Sequence, residues 1–89
     1  MAFAIDDTAS ALKQLKGLDR SVARRLVGFL DERVAGTADP RALGQALKGP
    51  MLGSYWRYRV GDYRILCDLQ DGRLRVLVVE VGHRRKVYR

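Results

Sequence analysis

The period of the hydrophobic pattern changes near residue 55, from a helical spacing to the alternation that is typical of strands. Before that point, two segments carry apolar residues at helical intervals. The first segment holds Ala11, Leu12 and Leu15, and the second holds Val22, Leu26, Phe29, Leu30 and Val34. The pattern predicts two helices joined by a tight turn, whose apolar stripe must pack against another layer.

Polar residues and glycines indicate where these two helices begin and end. The candidate N-caps of the first helix are Asp6, Asp7 and Thr8. We expect this helix to stop at Gly17, and we expect the second to run from its cap, Asp19, to Gly36. The apolar residues 3–5 predict an edge strand, and residues 37–54 predict a linker that holds one short helical turn.

After residue 55, the alternation predicts strands at residues 55–60, 63–70 and 73–81. Two-residue turns at Gly61-Asp62 and Asp71-Gly72 would join them into an antiparallel meander, and Asp-Gly is a strong signal for a tight hairpin. The expected cross-strand pairs are Val60 with Tyr63, Arg59 with Arg64, Arg57 with Leu66, Gln70 with Arg73, Asp68 with Arg75, and Arg64 with Val79.

Strand parity divides the predicted sheet into two faces. The face that the helices would cover holds Trp56, Tyr58, Val60, Tyr63, Ile65, Cys67, Leu69, Leu74, Val76 and Val78. The other face, which we call the basic face, holds Arg57, Arg59, Arg64, Leu66, Asp68, Arg75, Leu77, Val79 and Val81. By the same parity Glu80 falls on the helix-covered side. Cys67 is expected to be a small buried hydrophobe and not a reactive thiol.

These elements predict one α+β domain over residues 1–89. The N-terminal strand, the αα-hairpin and the C-terminal three-stranded antiparallel meander would form one twisted sheet with the helices on one face. A hydrophobic fraction of 47% suffices for one small core without disulfides. No apolar run reaches the roughly 18 to 20 residues of a membrane helix, and the acidic N-terminus is unlike a secretory signal. We expect a cytoplasmic protein without membrane contact, metal or cofactor.

The net charge of +7 is concentrated in the C-terminal part of the chain. Residues 1–54 carry 8 Lys and Arg against 6 Asp and Glu, whereas residues 55–89 carry 9 against 4. This asymmetry indicates a polyanion or an acidic protein as the partner of the C-terminal half. Composition alone is equally compatible with a basic surface that only keeps the protein soluble.

Three arginines on the basic face indicate a more specific type of partner than the net charge does. Arg59 and Arg64 are predicted to lie directly opposite each other, and like charges in that position destabilise a sheet by up to ~1 kcal/mol. Arg57 adds a third positive charge, and no nearby carboxylate on that face is expected to neutralise the three. An external anion such as a phosphate explains the cluster best, because guanidinium groups bind phosphate through two hydrogen bonds.

The C-terminal segment, residues 82–89, adds further candidates. His83 is the only side chain in this region whose ordinary pKa lies near neutrality, so it is the candidate for proton transfer. The ring of Tyr88 could stack on a nucleobase, and its alternative role is to pack the C-terminus onto the sheet. We count Lys48, just upstream of the first basic strand, and Arg85 among the expected RNA or phosphate contacts.

The order of these elements closely resembles the RelE branch of the RelE/ParE toxin superfamily. The likeness covers essentially the whole chain, and its most specific parts are residues 55–67 and 82–89. It implies the toxin of a type II toxin–antitoxin pair, which cuts mRNA in the A site of the 30S ribosomal subunit without a metal. It also implies an antitoxin protein as partner, in a toxin–antitoxin hetero-oligomer.

The resemblance also implies roles for individual residues. Arg57 and Arg59 match a pair of basic strand residues, often lysines, that line the scissile phosphate. Arg64 matches an arginine that stabilises the transition state, Arg84 matches one that protonates the leaving oxygen, and Tyr88 matches the tyrosine that stacks on the mRNA base. Arginine cannot serve as a general base because its pKa stays above about 12, so the proton acceptor is left open, with His83 as a candidate.

Two other functions compete with this hypothesis. A ParE-like toxin would share the fold and would inhibit DNA gyrase by protein binding, without RNase activity. Arg64 and the tail residues His83, Arg84 and Tyr88 argue against that alternative. A simple RNA-binding domain is disfavoured because the aromatic residues of the strands fall on the helix-covered face and do not alternate with the arginines.

Overall fold

The structure, a computed structural model, describes residues 3–47 and 55–85. In chain order its strands and helices are β1 (Ala4–Asp7), α1 (Ala9–Gly17), α2 (Arg20–Phe29), β2 (Gln45–Ala46), β3 (Tyr55–Val60), β4 (Tyr63–Gln70) and β5 (Arg75–His83). The five strands form a sheet in the order β1-β5-β4-β3-β2, in which β1 is parallel to β5 and the other neighbours are antiparallel. The predicted α+β architecture, with the N-terminal strand at an edge, is confirmed.

Both helices begin where the sequence predicts, but through different contacts. The Thr8 hydroxyl accepts a hydrogen bond from the Ala11 backbone N–H at 3.0 Å and so satisfies a free donor in the first turn of α1. Asp6 and Asp7 belong to β1 and do not cap this helix. The carboxylate of Asp19, at the start of α2, accepts a hydrogen bond from a neighbouring serine hydroxyl and caps no backbone N–H. A π-helical turn, Leu30–Val34, then continues α2 toward its predicted end.

The apolar stripes of both helices pack on one face of the sheet and form the main core. Its buried residues are Phe3, Ala11, Leu15, Leu26, Leu30, Val34, Tyr58, Val60, Ile65, Cys67, Leu69, Val76, Val78 and Val81. The Tyr58 hydroxyl donates a hydrogen bond to the Pro40 carbonyl at 2.7 Å and fastens the predicted helical turn, Pro40–Leu43, to the sheet. Burial raises the pKa of the Tyr58 hydroxyl and of the Cys67 thiol, so both stay neutral. The prediction of Cys67 as a buried hydrophobe is confirmed.

The linker contains a strand that the hydrophobic pattern does not reveal. Strand β2 pairs with β3 through Gln45 opposite Arg57 and Ala46 opposite Trp56. A strand of two residues has too few side chains to show an alternation, so its pairing depends on tertiary contacts alone. It becomes the edge strand beside the arginines of β3.

The hairpin between β4 and β5 differs from the prediction at its turn. A short 3₁₀ turn, Asp71–Arg73, replaces the expected two-residue turn, and Leu74 follows in the left-handed region with a φ of 48°. Strand β5 therefore starts at Arg75, which lies opposite Gln70. The predicted pairs Gln70 with Arg73 and Asp68 with Arg75 are wrong, whereas all the predicted pairs between β3 and β4 are confirmed.

A β-bulge in the same hairpin changes which side chains share a face. Cys67 lies opposite Val78, but the preceding residue of β4, Leu66, lies opposite Glu80, so Val79 is an extra residue on β5. The predicted pair of Arg64 with Val79 is therefore wrong, and Arg64 lies opposite Gly82. Two assignments to faces are also corrected. Val81 joins the main core, and Glu80, in register with Leu66, lies on the basic face.

Candidate functional site

The basic face brings three predicted arginines together near the β3–β4 turn. Arg59 lies directly opposite Arg64, and Arg57 lies opposite Leu66, one step further along the same face. Residues in direct register point to the same side of a sheet, so the three guanidinium groups share one surface. Like charges in this position repel each other, and no requirement of the core explains why they are placed there.

Arg64 is the most firmly held of these side chains. Within residues 3–47 and 55–85 it is the one buried charged residue, with an exposed fraction of 8%. Its Nη1 donates hydrogen bonds to the backbone carbonyls of Tyr63, at 3.0 Å, and Gly61, at 3.3 Å. A buried guanidinium needs such acceptors, because removing it from water without hydrogen bonds is costly. The carbonyls therefore fix the orientation of a positive group before any anion binds.

Arg57 and Arg59 differ in their surroundings. Arg57 is half-buried, and its Nη2 donates a short hydrogen bond to Gln45 Oε1, so the unpredicted strand β2 orients this arginine. Arg59 is exposed and also lines a cleft of about 500 Å³ beside the β3–β4 turn, whose charged residues are Arg25, Arg33, Arg59 and one acid, Glu32. Positive charge thus extends from the basic face around the edge of the sheet.

Arg84 follows β5 and is attached to the same turn that anchors Arg64. Its backbone N–H donates a hydrogen bond to the Asp62 carbonyl at 2.8 Å. Its Nε lies 3.9 Å from Asp62 Oδ1, while about half of the side chain, 53%, is exposed. Gly61 makes this tight turn possible, because its φ of +59° lies in the region that favours glycine. The turn therefore holds two of the predicted site residues close together.

His83 lies on the other side of the sheet. It is in register with Tyr63, and the two rings meet edge to face with centroids 5.5 Å apart. Its Nδ1 accepts a hydrogen bond from the Arg85 backbone N–H at 3.2 Å. The residue borders a pocket of about 370 Å³ together with Gln14 of the helical layer and Glu80 of β5. The structure does not bring His83 together with the arginines of the basic face.

The remaining predicted site residues are described only in part. Arg85 is exposed. Lys48 and Tyr88 lie outside the described residues, so their expected contacts with RNA stay predictions. The roles assigned to the other site residues are likewise untested by their positions alone.

An apolar cluster lies on the basic face beside the arginines, and strand parity predicts only some of its members. Buried Leu47 and Leu66 pack there with the half-buried Tyr55 and Val79. Arg75 pairs with Asp6 of β1, with Arg75 Nε 3.0 Å from Asp6 Oδ2, and not with the predicted Asp68. This ion pair neutralises Arg75, so the arginine cluster of the basic face is the one near the β3–β4 turn.

Glu80 is the functional candidate that the sequence pattern missed. The bulge at Val79 turns it onto the basic face, and no strand alternation could have indicated this. In the described part of the chain, no group of three or more His, Cys, Asp or Glu residues could hold a metal ion. No helix in that part is long and apolar enough to cross a membrane.

Comparison with known proteins gives one consistent family. The model for the ParE toxin of the type II toxin–antitoxin system parDE matches residues 6–88. The curated toxin RelE of Mycobacterium tuberculosis is 30% identical over 82 residues, which cover 92% of this chain and 81% of that protein.

Solved structures share the fold. One is a chain of the toxin–antitoxin complex RelBE2 from Mycobacterium tuberculosis, with a TM-score of 0.85, 23% identity, and coverage of 93% of this chain and 92% of that one. Another is a mutant of the E. coli toxin RelE in the free state, with a TM-score of 0.76, 26% identity, and coverage of 98% and 88%. The likeness therefore extends over nearly the whole chain.

Proposed function

The chain belongs to the RelE/ParE family of type II toxin–antitoxin toxins, and we propose that it is a ribosome-dependent endoribonuclease that cleaves mRNA in the ribosomal A site. The observation that carries this proposal is the placement of Arg57, Arg59 and Arg64 on one face, with Arg64 buried and anchored to backbone carbonyls. Fixed positive charge is what a phosphate-cleaving site requires, because negative charge develops on the phosphate oxygens in the transition state.

In the proposed reaction the 2′-hydroxyl of the mRNA attacks the adjacent phosphate. The products are a 2′,3′-cyclic phosphate and a 5′-hydroxyl, so no metal is needed to generate the nucleophile. Arg57 and Arg59 bind the phosphate, and Arg64 stabilises the transition state. Arg84 protonates the leaving oxygen. Arg64 and Arg84 suit these complementary tasks, since both are attached to the β3–β4 turn.

The remaining contacts concern the RNA on either side of the scissile bond. Tyr88 stacks on the mRNA base and orients it, while Lys48 and Arg85 contact the RNA backbone. His83 remains a candidate for proton transfer, although its ring faces the helical layer. The ribosome supplies the positioning of the codon, so activity on free RNA is expected to be low.

The proposed partner is a cognate antitoxin that forms a hetero-oligomer with the toxin in the cytoplasm. A net charge of +7 favours an acidic antitoxin segment that covers the basic face or displaces the residues around Tyr88. Either way of binding would keep mRNA away from the arginines.

Primer extension on a translated reporter tests the proposed function. Purified protein is added to a translating extract and, separately, to the same mRNA without ribosomes. We expect new 5′ ends within A-site codons only when ribosomes are present, and a cyclic phosphate on the upstream fragment. Intact mRNA in both reactions would contradict the proposal.

Induction of the toxin in cells distinguishes this proposal from the ParE-like alternative. If DNA replication stops before translation after induction of the toxin, gyrase inhibition is the better explanation. We expect translation to stop first.

A further inference from the structure

Glu80 places a carboxylate on the face that carries the arginines. It lies opposite Leu66, which in turn lies opposite Arg57, so these three residues form one row across β5, β4 and β3. The next row toward the β3–β4 turn holds Arg59, Arg64 and Gly82. Glu80 and Arg64 are therefore diagonal neighbours on adjacent strands, a relation that places two residues about 7–8 Å apart.

The surroundings of Glu80 leave room for a substrate. Gly82 is the β5 residue opposite Arg64, and it carries no side chain that could separate Glu80 from the turn. Glu80 itself is only half-buried, and it also borders the pocket that contains His83 and Gln14. The side chain of Glu80 would thus be long enough to bring its carboxylate beside a phosphate bound between Arg57 and Arg64.

The arginines alone cannot complete the reaction proposed above. An arginine is already protonated before the reaction and offers no acceptor atom, so it can donate a proton to a leaving oxygen but cannot take one from a hydroxyl. A carboxylate can accept a proton, and general-base catalysis typically contributes about 10²–10⁴-fold to a rate. His83, another group able to accept a proton, faces Tyr63 on the helical side. Asp68 lies one row further from the arginines, opposite Tyr55, and Asp62 lies beside Arg84 in the turn.

We propose that Glu80 is the general base that accepts the proton of the attacking 2′-hydroxyl, an inference that rests on the proposed nuclease function. The O–H bond of the 2′-hydroxyl breaks as the bond from the 2′-oxygen to phosphorus forms, and the proton moves to the carboxylate. The bond from phosphorus to the 5′-oxygen breaks, and that oxygen keeps the electron pair and takes a proton from Arg84. Glu80 then releases its proton to water and Arg84 regains one, so the enzyme returns to its starting state.

Single-turnover cleavage of a ribosome-bound codon by E80Q tests this role. Glutamine keeps the size of the side chain and removes its ability to accept the proton. We expect the cleavage rate to fall about 10²–10⁴-fold. Binding of an mRNA with a 2′-deoxy scissile nucleotide should be unchanged or tighter, because a negative charge has left the site.

The matched control is D68N, which removes a carboxylate from the same face, opposite Tyr55 and one row further from the arginines. It should cleave within a few fold of the wild-type rate. Thermal unfolding of both variants verifies that they are folded.

A substrate with sulfur in place of the leaving 5′-oxygen separates the base from the acid. A thiolate leaves without being protonated, so this substrate should restore most of the rate lost in R84A. It should leave E80Q as slow as before, since the 2′-hydroxyl must still lose its proton.

The outcomes are distinct. If the wild-type protein cleaves and folded E80Q cleaves equally fast or faster, Glu80 only balances charge and this inference is overturned while the nuclease function stands. Rescue of E80Q by the sulfur substrate would also overturn it, because Glu80 would then be the acid. If the wild-type protein cleaves no mRNA, the proposed function and this inference fail together.

Discussion

The two faces of the sheet differ in how they treat charge. The helix-covered face carries mostly buried apolar side chains, and two of its ionisable groups, Tyr58 and Cys67, are kept uncharged by burial. The basic face instead holds Arg64 in a buried position and sets another arginine, Arg59, directly opposite it. The first face contributes stability, whereas the second gives up some stability to hold charge in place.

The largest effect on stability is expected from the helix that covers the core. Leu26 has an exposed fraction of 0%, so L26A leaves a cavity under α2. We expect the free energy of unfolding to fall by about 2–5 kcal/mol. Urea denaturation measures this loss. An equally large loss in V27A, at the exposed position next to it, would contradict the assignment of the core face.

A smaller effect is expected where the core face holds a polar group. Y58F removes the donor for the Pro40 carbonyl and should destabilise the protein by about 1–3 kcal/mol. The ring stays in place beside Phe29, so the loss reports the hydrogen bond and not the packing. If denaturation shows no change, a water molecule can replace the hydroxyl.

The cap of α1 should matter less. T8A removes the acceptor for the Ala11 N–H and should cost about 0.5–2 kcal/mol. T8S keeps a hydroxyl and is the control, with most of the stability retained. Equal unfolding midpoints for T8A and T8S would show that the cap contributes nothing.

The smallest effect on stability is expected from R59Q, and it should be a gain, because this substitution relieves repulsion on the basic face. R59Q removes one of two facing like charges and should raise the free energy of unfolding by up to ~1 kcal/mol. The same change should weaken RNA binding, so stability and affinity would move in opposite directions. Denaturation and a binding titration on one preparation measure both, and a loss of stability in R59Q would break the contrast between the two faces.

The elements with the strongest local sequence signals are those whose structure was predicted correctly. The hairpin of β3 and β4 is joined by a two-residue turn at Gly61, and all its predicted pairs are correct. That success places Arg57, Arg59 and Arg64 on one face, so the main part of the candidate site was predictable.

The hairpin of β4 and β5 was predicted less well, because its register does not follow from local sequence signals. The register of β5 is shifted twice, first by the 3₁₀ turn with Leu74 at positive φ and then by the extra residue Val79. The alternation of apolar and polar residues indicates neither shift. The position of Glu80 on the basic face was therefore not predicted. Strand β2 was not predicted either, because a strand of two residues shows no period. Both depend on tertiary pairing, which the local pattern does not encode.

The cleavage rate of R64A tests the account most directly, since Arg64 is the group that the fold buries and orients on the basic face. We expect single-turnover cleavage of ribosome-bound mRNA to fall about 10²–10³-fold. The matched control is R73A, an exposed arginine in the turn at the other end of β4, which should retain the wild-type rate. Equal rates for folded R64A and R73A would contradict the assignment of the basic face as the cleavage site.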